Sequence, residues 1–217
     1  MLQSSLDAGA VTVTAEVMPP RGGDPSHALE MARALKGLVH AVNVTDGSRA
    51  VMRMSSLAVA RLLLDEGIEP VLQMACRDRN RIAIQADLLG AHALGIRNLL
   101  CLTGDPVRAG DQPKARPVNE LESVRLLQQV TAFNRGDDPV NGALADGPTE
   151  IFAGAAADPQ CASWSGLVRR MERKKAAGAC FIQTQMVMDA AVLERFCHEI
   201  AEPMELPVLA GVFLLKS

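Results

Sequence analysis

Tyrosine is absent from this 217-residue chain, and aromatic residues make up only 3% of it. Proteins that bind single-stranded nucleic acid stack bases on aromatic rings, so this composition argues against that role. No basic excess exists either. Lys and Arg number 22 against 25 Asp and Glu, a net charge of −3, and a nucleic-acid surface would reverse that balance. No apolar run reaches the roughly 18 residues of a membrane span. The opening Met1–Asp7 has no basic region followed by an apolar stretch, so no secretory signal is read and the cytoplasm is the expected location. The five cysteines, Cys76, Cys101, Cys161, Cys180 and Cys197, include no C-x-x-C pair. Their odd number and scatter fit reduced thiols better than a disulfide framework or a zinc site, and no metal is expected. No G-x-G-x-x-G follows the first apolar segment, which removes the dinucleotide fingerprint of a doubly wound sheet.

What the chain does have is alternation. Hydrophobic residues make up 48% of it, enough for a substantial core. Apolar, strand-like runs fall near 11–17, 39–45, 70–75, 97–103, 150–154, 179–185 and 207–212. Between them lie amphipathic segments near 25–37, 55–67, 79–94, 119–133, 162–177 and 189–201. In the third of these, Ile82, Leu88, Leu89 and Leu94 have helical spacing, and Gly95 reads as the C-cap. Strict alternation of strand and helix implies a parallel sheet with right-handed crossovers. Seven such strands point to an α/β fold of the (β/α)₈ TIM-barrel type. The reading is one barrel domain over 1–217, incomplete at its C-terminus, because the sequence closes at Lys216-Ser217 just after the seventh strand. The open sheet edge this leaves is an invitation to pairing, so a homo-oligomer is expected. Residues 104–118 follow a strand and are expected on the catalytic face as a lid or substrate loop. Residues 134–149 follow a helix and read as a surface excursion.

Polar side chains stand where the strands run out. Glu16 follows alternating Thr12 and Thr14, the set a barrel strand turns inward while its valines face the helices. A carboxyl partly removed from water there has a raised pKa and can exchange a proton near neutral pH. Pairing with Arg21 is the bland alternative. Asp105 follows Gly104 and could tune a cofactor or cap a turn. Gln183 and Gln185 share a strand face, and Gln73 sits similarly on the third strand. All three could hold the edge of a heterocycle or satisfy the barrel interior. Asn43 and Thr45 end the second strand. The run from Arg169 to Lys175 offers cations for a phosphate or forms a solvated helix face.

Together these runs resemble the methylenetetrahydrofolate reductase family. Glu16-Val17-Met18-Pro19-Pro20-Arg21, Asn43-Val44-Thr45-Asp46-Gly47, Leu102-Thr103-Gly104-Asp105 and Gln183-Thr184-Gln185 stand in the family's order and approximate spacing. Arg77-Asp78-Arg79-Asn80-Arg81 resembles the branch found in acetogens and in enzymes fused to homocysteine methyltransferases. The resemblance implies a flavin-containing barrel, with FAD ahead of FMN, that reduces 5,10-methylenetetrahydrofolate to 5-methyltetrahydrofolate in one-carbon and methionine metabolism. Electrons would come from NAD(P)H or from a partner protein, and a methyltransferase is a further partner the resemblance implies. It makes Glu16 the general acid and Asp105 a catalytic carboxylate beside flavin and folate. It places Thr45, Gly104, Asp105, Arg173 and Lys174 at the cofactor, and Gln183, Gln185 and Gln73 at the folate. The chain departs from the family's pattern at Val17, Met18, Gln73, Thr103 and Gly154. A non-redox pterin-binding one-carbon enzyme and a non-catalytic truncated barrel subunit are the alternative readings.

Overall fold

In the computed structural model the described residues are 1–213; Lys216 and Ser217, where the sequence closes, lie outside them. Seven strands form one sheet: β1 (Thr14–Val17), β2 (Ala41–Val44), β3 (Pro70–Ala75), β4 (Asn98–Leu102), β5 (Phe152–Ala157), β6 (Phe181–Met186) and β7 (Val208–Gly211). Each pairs in parallel with the next in chain order, and the sheet curves into a nearly closed barrel. Helices alternate with them: α2 (Ser26–Leu35), α3 (Ser56–Asp65), α4 (Arg81–Ala93), α5 (Ser123–Arg135), α6 (Trp164–Ala176) and α7 (Ala190–Phe196), the last continuing into a π-helical turn over Cys197–Ala201. Among the described residues β1 and β7 do not pair with each other. Exposed Val11, Val13, Val212 and Phe213 flank these two end strands.

The pleat separates two cores. Outward-facing Val42, Val44, Leu72, Met74, Leu99 and Cys101 pack on helix residues such as Leu63, Leu88 and Leu127. Inward-facing Ala41, Val71, Leu100, Phe181 and Leu209 fill the barrel itself. A short first helix, α1 (Leu2–Asp7), is absent from the sequence reading; its Leu2 and Leu6 join that inner cluster and plug the floor. The backbone N–H of Leu2 reaches both carboxylate oxygens of Glu69 at 3.1 Å, and the Asn98 amide donates to the same group at 2.8 Å. Moving up β2, β3 and β6, the inward residues turn from apolar to polar: Ala41 to Asn43, Val71 to Gln73, Phe181 to Gln183. The polar end is the mouth.

Two local expectations change. In α4 the buried residues are Ile84, Leu88 and Ala91, while Ile82 is 75% exposed and Leu89 and Leu94 are also exposed. The stripe runs i, i+4, i+7 from Ile84, and the other apolar residues lie beside it rather than on it. The excursion at 134–149 contains a short antiparallel hairpin, Asp137–Asp138 with Gly142–Ala143.

Gly154 explains how the inner core closes. The Phe181 ring lies against it and stacks on Phe152 with centroids 5.2 Å apart; a Cβ on residue 154 would fall 2.2 Å from that ring. The aromatic bulk comes from β6 across a bare backbone on β5. Gly154→Ala must push the ring out of a packed core, an overpacking cost of about 1–3 kcal/mol. Thermal unfolding should show a Tm lower by several degrees; an unchanged Tm would mean Phe181 moves aside freely.

Candidate active site

Glu16 stands at the mouth beside its register partner Asn43 on β2. Every other strand residue on the inward face at this level is neutral: Asn43, Thr45, Gln73 and Gln183. The side chain is open to solvent from above, yet the surrounding strand walls raise its carboxyl above the usual 4.5, while hydrogen bonding with the Gln73 side chain acts in the opposite direction. Arg21 does not neutralise it. That guanidinium pairs instead with Asp111 at 2.6 Å. The site therefore contains a carboxyl whose acid form is favoured by burial and which, among the described residues, has no ion-pair partner.

Three buried side-chain atoms on inward-facing β2 and β6 positions lack a hydrogen-bond partner: Asn43 Oδ1, Thr45 Oγ1 and Gln183 Oε1. Leaving such a group unpaired costs about 1–3 kcal/mol, so their clustering is the mark of a pocket shaped for something polar. Gln73 is buried in the same layer, and Gln185 is exposed at the rim. Between Gln183 and Met186 the register of β6 against β7 slips, and Thr184 Oγ1 accepts the Gly211 N–H at 2.8 Å.

The loops over the mouth are fastened by a charge cluster the sequence reading did not assign. Asp46, past the end of β2, accepts the Ala75 N–H at 2.8 Å and the Arg79 Nη1 at 2.6 Å, and Arg79 also reaches Asp87 and the Ala75 carbonyl. Arg77 is 5% exposed. Its guanidinium pairs with Asp78 and donates to the carbonyls of Gly47 and Asp105, while its own carbonyl accepts the Val118 N–H. The signal in the sequence was the dense Arg77-Asp78-Arg79 run directly after an apolar strand. Gly104 has φ +96°, and a Cβ there would come within 2.8 Å of the Arg77 Cβ, so packing as well as conformation demands glycine.

Asp105 follows, and its carboxylate accepts the backbone N–H of Arg49 at 2.7 Å. Arg49 and Ala50 both have positive φ, 57° and 56°, an unusual pair for residues with a Cβ. Asp111 secures the same turn through the Met52 N–H at 2.9 Å. The segment 104–118 expected as a lid is thus pinned across β1, β2 and β4 loops, and a cavity of about 440 Å³ is formed by the segment's own residues, Thr103, Asp105, Arg108 and Asn119 among them. Arg173 pairs with Glu122 at 2.9 Å. Lys174 donates to the Ala156 carbonyl at 2.6 Å near Cys101, on the helix side of the sheet, and burial lowers its pKa. A phosphate reaching either cation has to displace those protein partners. Burial pushes the Cys76 thiol up to about 11 and Cys101 well above its ordinary value, which removes both as nucleophiles. Among the described residues no three His, Cys, Asp or Glu side chains gather as a metal site, and no helix is long and apolar enough to cross a membrane.

The raised pKa of Glu16 has a consequence for folding. An acid whose folded-state pKa exceeds its unfolded value contributes stability that is fully present below about 4.5 and is lost as pH rises through the folded pKa. At neutral pH the ionised Glu16 therefore works against the fold. Glu16→Gln should melt at a higher temperature than the parent at pH 7, with the gain shrinking towards pH 4. A lower Tm for the variant at pH 7 would contradict the unpaired, partly dehydrated carboxyl.

The family model described as methylenetetrahydrofolate reductase matches residues 1–217. A Caenorhabditis elegans protein named as a probable methylenetetrahydrofolate reductase (NADPH) is 26% identical over 208 residues, covering 91% of this chain. The chain spans 29% of that relative's length. Among solved structures, a Clostridium thermocellum protein that binds two copies of 5-methyl-5,6,7,8-tetrahydrofolic acid superposes with a TM-score of 0.60 at 10% identity, covering 97% of this chain and 69% of its own. A 2,3-dimethylmalate lyase of the PEP mutase/isocitrate lyase superfamily superposes at 0.62 with 13% identity, covering 99% and 71%. The two structures share the barrel; the family model's match across all 217 residues makes this chain a member of the methylenetetrahydrofolate reductase family.

Proposed function

We propose that residues 1–217 form one barrel domain that reduces 5,10-methylenetetrahydrofolate to 5-methyltetrahydrofolate with a bound flavin. The observation that carries the proposal is Glu16, a lone carboxyl with a raised pKa in a neutral, amide-lined mouth. Such a group keeps its proton to higher pH than an ordinary carboxyl and can deliver it to a bound substrate, a contribution of roughly 10² to 10⁴ in rate. In this reading Glu16 protonates the folate so that the methylene bridge opens to an iminium. Gln73, Gln183 and Gln185 offer amide donors and acceptors for the pterin edge, which favours a planar heterocycle with its own N–H and carbonyl groups. A fold neighbour that binds a reduced folate supports the capacity of this barrel for such a ligand.

The residues present fit a flavin in one respect and strain against it in another. The unpartnered Thr45 Oγ1 and the Asp105 carboxylate stand at the mouth for the ring system, with Gly104 keeping the backbone bare between them and Arg77. Arg173 and Lys174 are held by Glu122 and the Ala156 carbonyl, so Arg108, which lines the cavity formed within the 104–118 segment, is the better-placed cation for phosphates. When bound, FAD would supply the hydride to the folate. Thr45 and Asp105 would orient its ring, and the pinned loops would limit water above it. The donor that reloads the cofactor is NAD(P)H or a partner protein, with a homo-oligomer, a methyltransferase partner and a cytoplasmic setting as parts of the same reading.

The absorption spectrum of the purified protein tests this first. A flavin band that bleaches with anaerobic NADH or NADPH and returns with methylenetetrahydrofolate is the expected result. Bleaching only with another reductant assigns the donor to a protein. A colourless chain that takes up no flavin would overturn the redox reading and favour a non-redox folate binder or a non-catalytic subunit. Within the flavin-bound protein, Glu16→Gln should lose about 10²- to 10⁴-fold in folate reduction while bleaching by the donor persists.

A further inference from the structure

Beside Glu16 lies a buried amide that the proton-transfer reading leaves unused. Asn43 is 2% exposed and pairs in register with Glu16, so the two side chains rise from neighbouring strands, roughly 4.8 Å apart, on the same inward face. Its Nδ2 donates to Thr14 Oγ1 at 3.3 Å, one pleat below Glu16, and this fixes the amide so that Oδ1 is the free end. That oxygen is fully buried and has no partner. A carboxylate cannot supply one, because it carries no hydrogen. A carboxylic acid can. Gln73, on the next strand, acts on Glu16 in the complementary sense, since its hydrogen bond favours the ionised form.

We propose that Asn43 is a positioning residue for Glu16: its Oδ1 accepts the hydrogen of the carboxyl in the acid form, while the Gln73 amide donates to the carboxylate form. This rests on Glu16 being the proton donor. Each protonation state then has its own amide, and giving up the proton exchanges one hydrogen bond for the other without rebuilding the site. The groups around Glu16 leave these two amides in control. β1 contributes Thr14 and β2 adds Thr45, while β6 offers Gln183, all uncharged. The charges on the loops above are engaged elsewhere: Arg21 with Asp111, Arg53 with the Pro19 carbonyl, Asp105 with the Arg49 N–H. Burial of the carboxyl supports the acid form from the same direction.

The test is an NMR titration of protein carrying ¹³C-labelled glutamate, with the Glu16 signal identified by its loss in Glu16→Gln. In Asn43→Leu the Glu16 titration should move down in pH, leaving roughly three- to tenfold less acid form at neutral pH, about the effect of one ordinary hydrogen bond. Gln73→Leu should move it up. In turnover, Asn43→Leu should lower kcat with little change in KM for the folate, and the basic limb of its pH profile should shift down with the titration. Leucine is close in size to asparagine and removes an unpaired buried atom, so Tm should hold or rise. Should that variant not fold, Asn43→Ser, whose hydroxyl is too short to reach both Thr14 and Glu16, should give the same downward movement. A Glu16 titration that stays in place or moves up in the Asn43 variant overturns the role, whatever happens to activity. Undiminished folate reduction by Glu16→Gln would instead defeat the proton-donor reading and leave the titration result standing.

Discussion

The mouth of the barrel is assembled around the Asp46 carboxylate. It caps the Ala75 N–H at the end of β3 and holds the Arg79 guanidinium, whose other nitrogens reach Asp87 on α4 and the Ala75 carbonyl. Arg77, two residues away, turns to the other side and grips Gly47 and Asp105. The ends of β2, β3 and β4 are therefore one hydrogen-bonded unit. Ion pairs this secluded contribute little net stability against apolar replacements, but removing one partner strands a buried charge at a cost of about 3–5 kcal/mol. Their value here is geometric. Parallel strands are joined only by long crossovers, and without such a clamp the loops that carry Asp105 and Thr45 would be free to settle independently.

The clamp also concentrates charge away from the reacting centre. Arg77, Arg79, Asp46, Asp78 and Asp87 neutralise one another above and outside the barrel wall, and the inward face keeps amides and hydroxyls around a single carboxyl. An arginine pointing inward would instead have favoured the ionised form of Glu16 and opposed the effect of burial. The burial that destabilises the ionised Glu16 in the fold is the same effect that raises the pKa of its carboxyl. One physical cause serves both.

Much of this was legible in the sequence, for a definable reason. The seven strands were read within one to three residues, because period-two and helical patterns report which face is buried. Glu16, Thr45, Asp105 and Gln183 were visible as polar residues at strand ends. Their partners were not. Nothing in the spacing of Asp46 and Arg79, 33 residues apart, announces a salt bridge. Likewise, Gly154 stands out in the sequence only as a departure from the family's pattern; the Phe181 ring that demands it comes from the next strand. The helical spacing of Ile82, Leu88, Leu89 and Leu94 does not say which of several adjacent apolar stripes meets the sheet, and Ile82 and Leu89 are exposed. Lys174 looked like a free cation, and its stem instead runs under β5 to a carbonyl. Local pattern reports burial; who meets whom depends on the closure of the barrel.

That closure couples ligand binding to loop shape. The consecutive left-handed residues Arg49 and Ala50 carry strain of order 1–3 kcal/mol each, and what holds them is the β4 loop: Asp105 on the Arg49 N–H, Asp111 on the Met52 N–H, and Gly110 flush against the Ala50 carbonyl. A side chain at 110 would penetrate that carbonyl, so the approach is as close as two backbones can come. A ligand donor that takes Asp105 Oδ2 competes with the Arg49 N–H and loosens one of the contacts that keep the turn strained. Binding at β4 is thereby felt at the end of β2, where Thr45 and the Asp46 clamp begin. The shape of the mouth then depends on which donor the Asp105 carboxylate serves, and the barrel supplies the rigid frame that makes the choice matter.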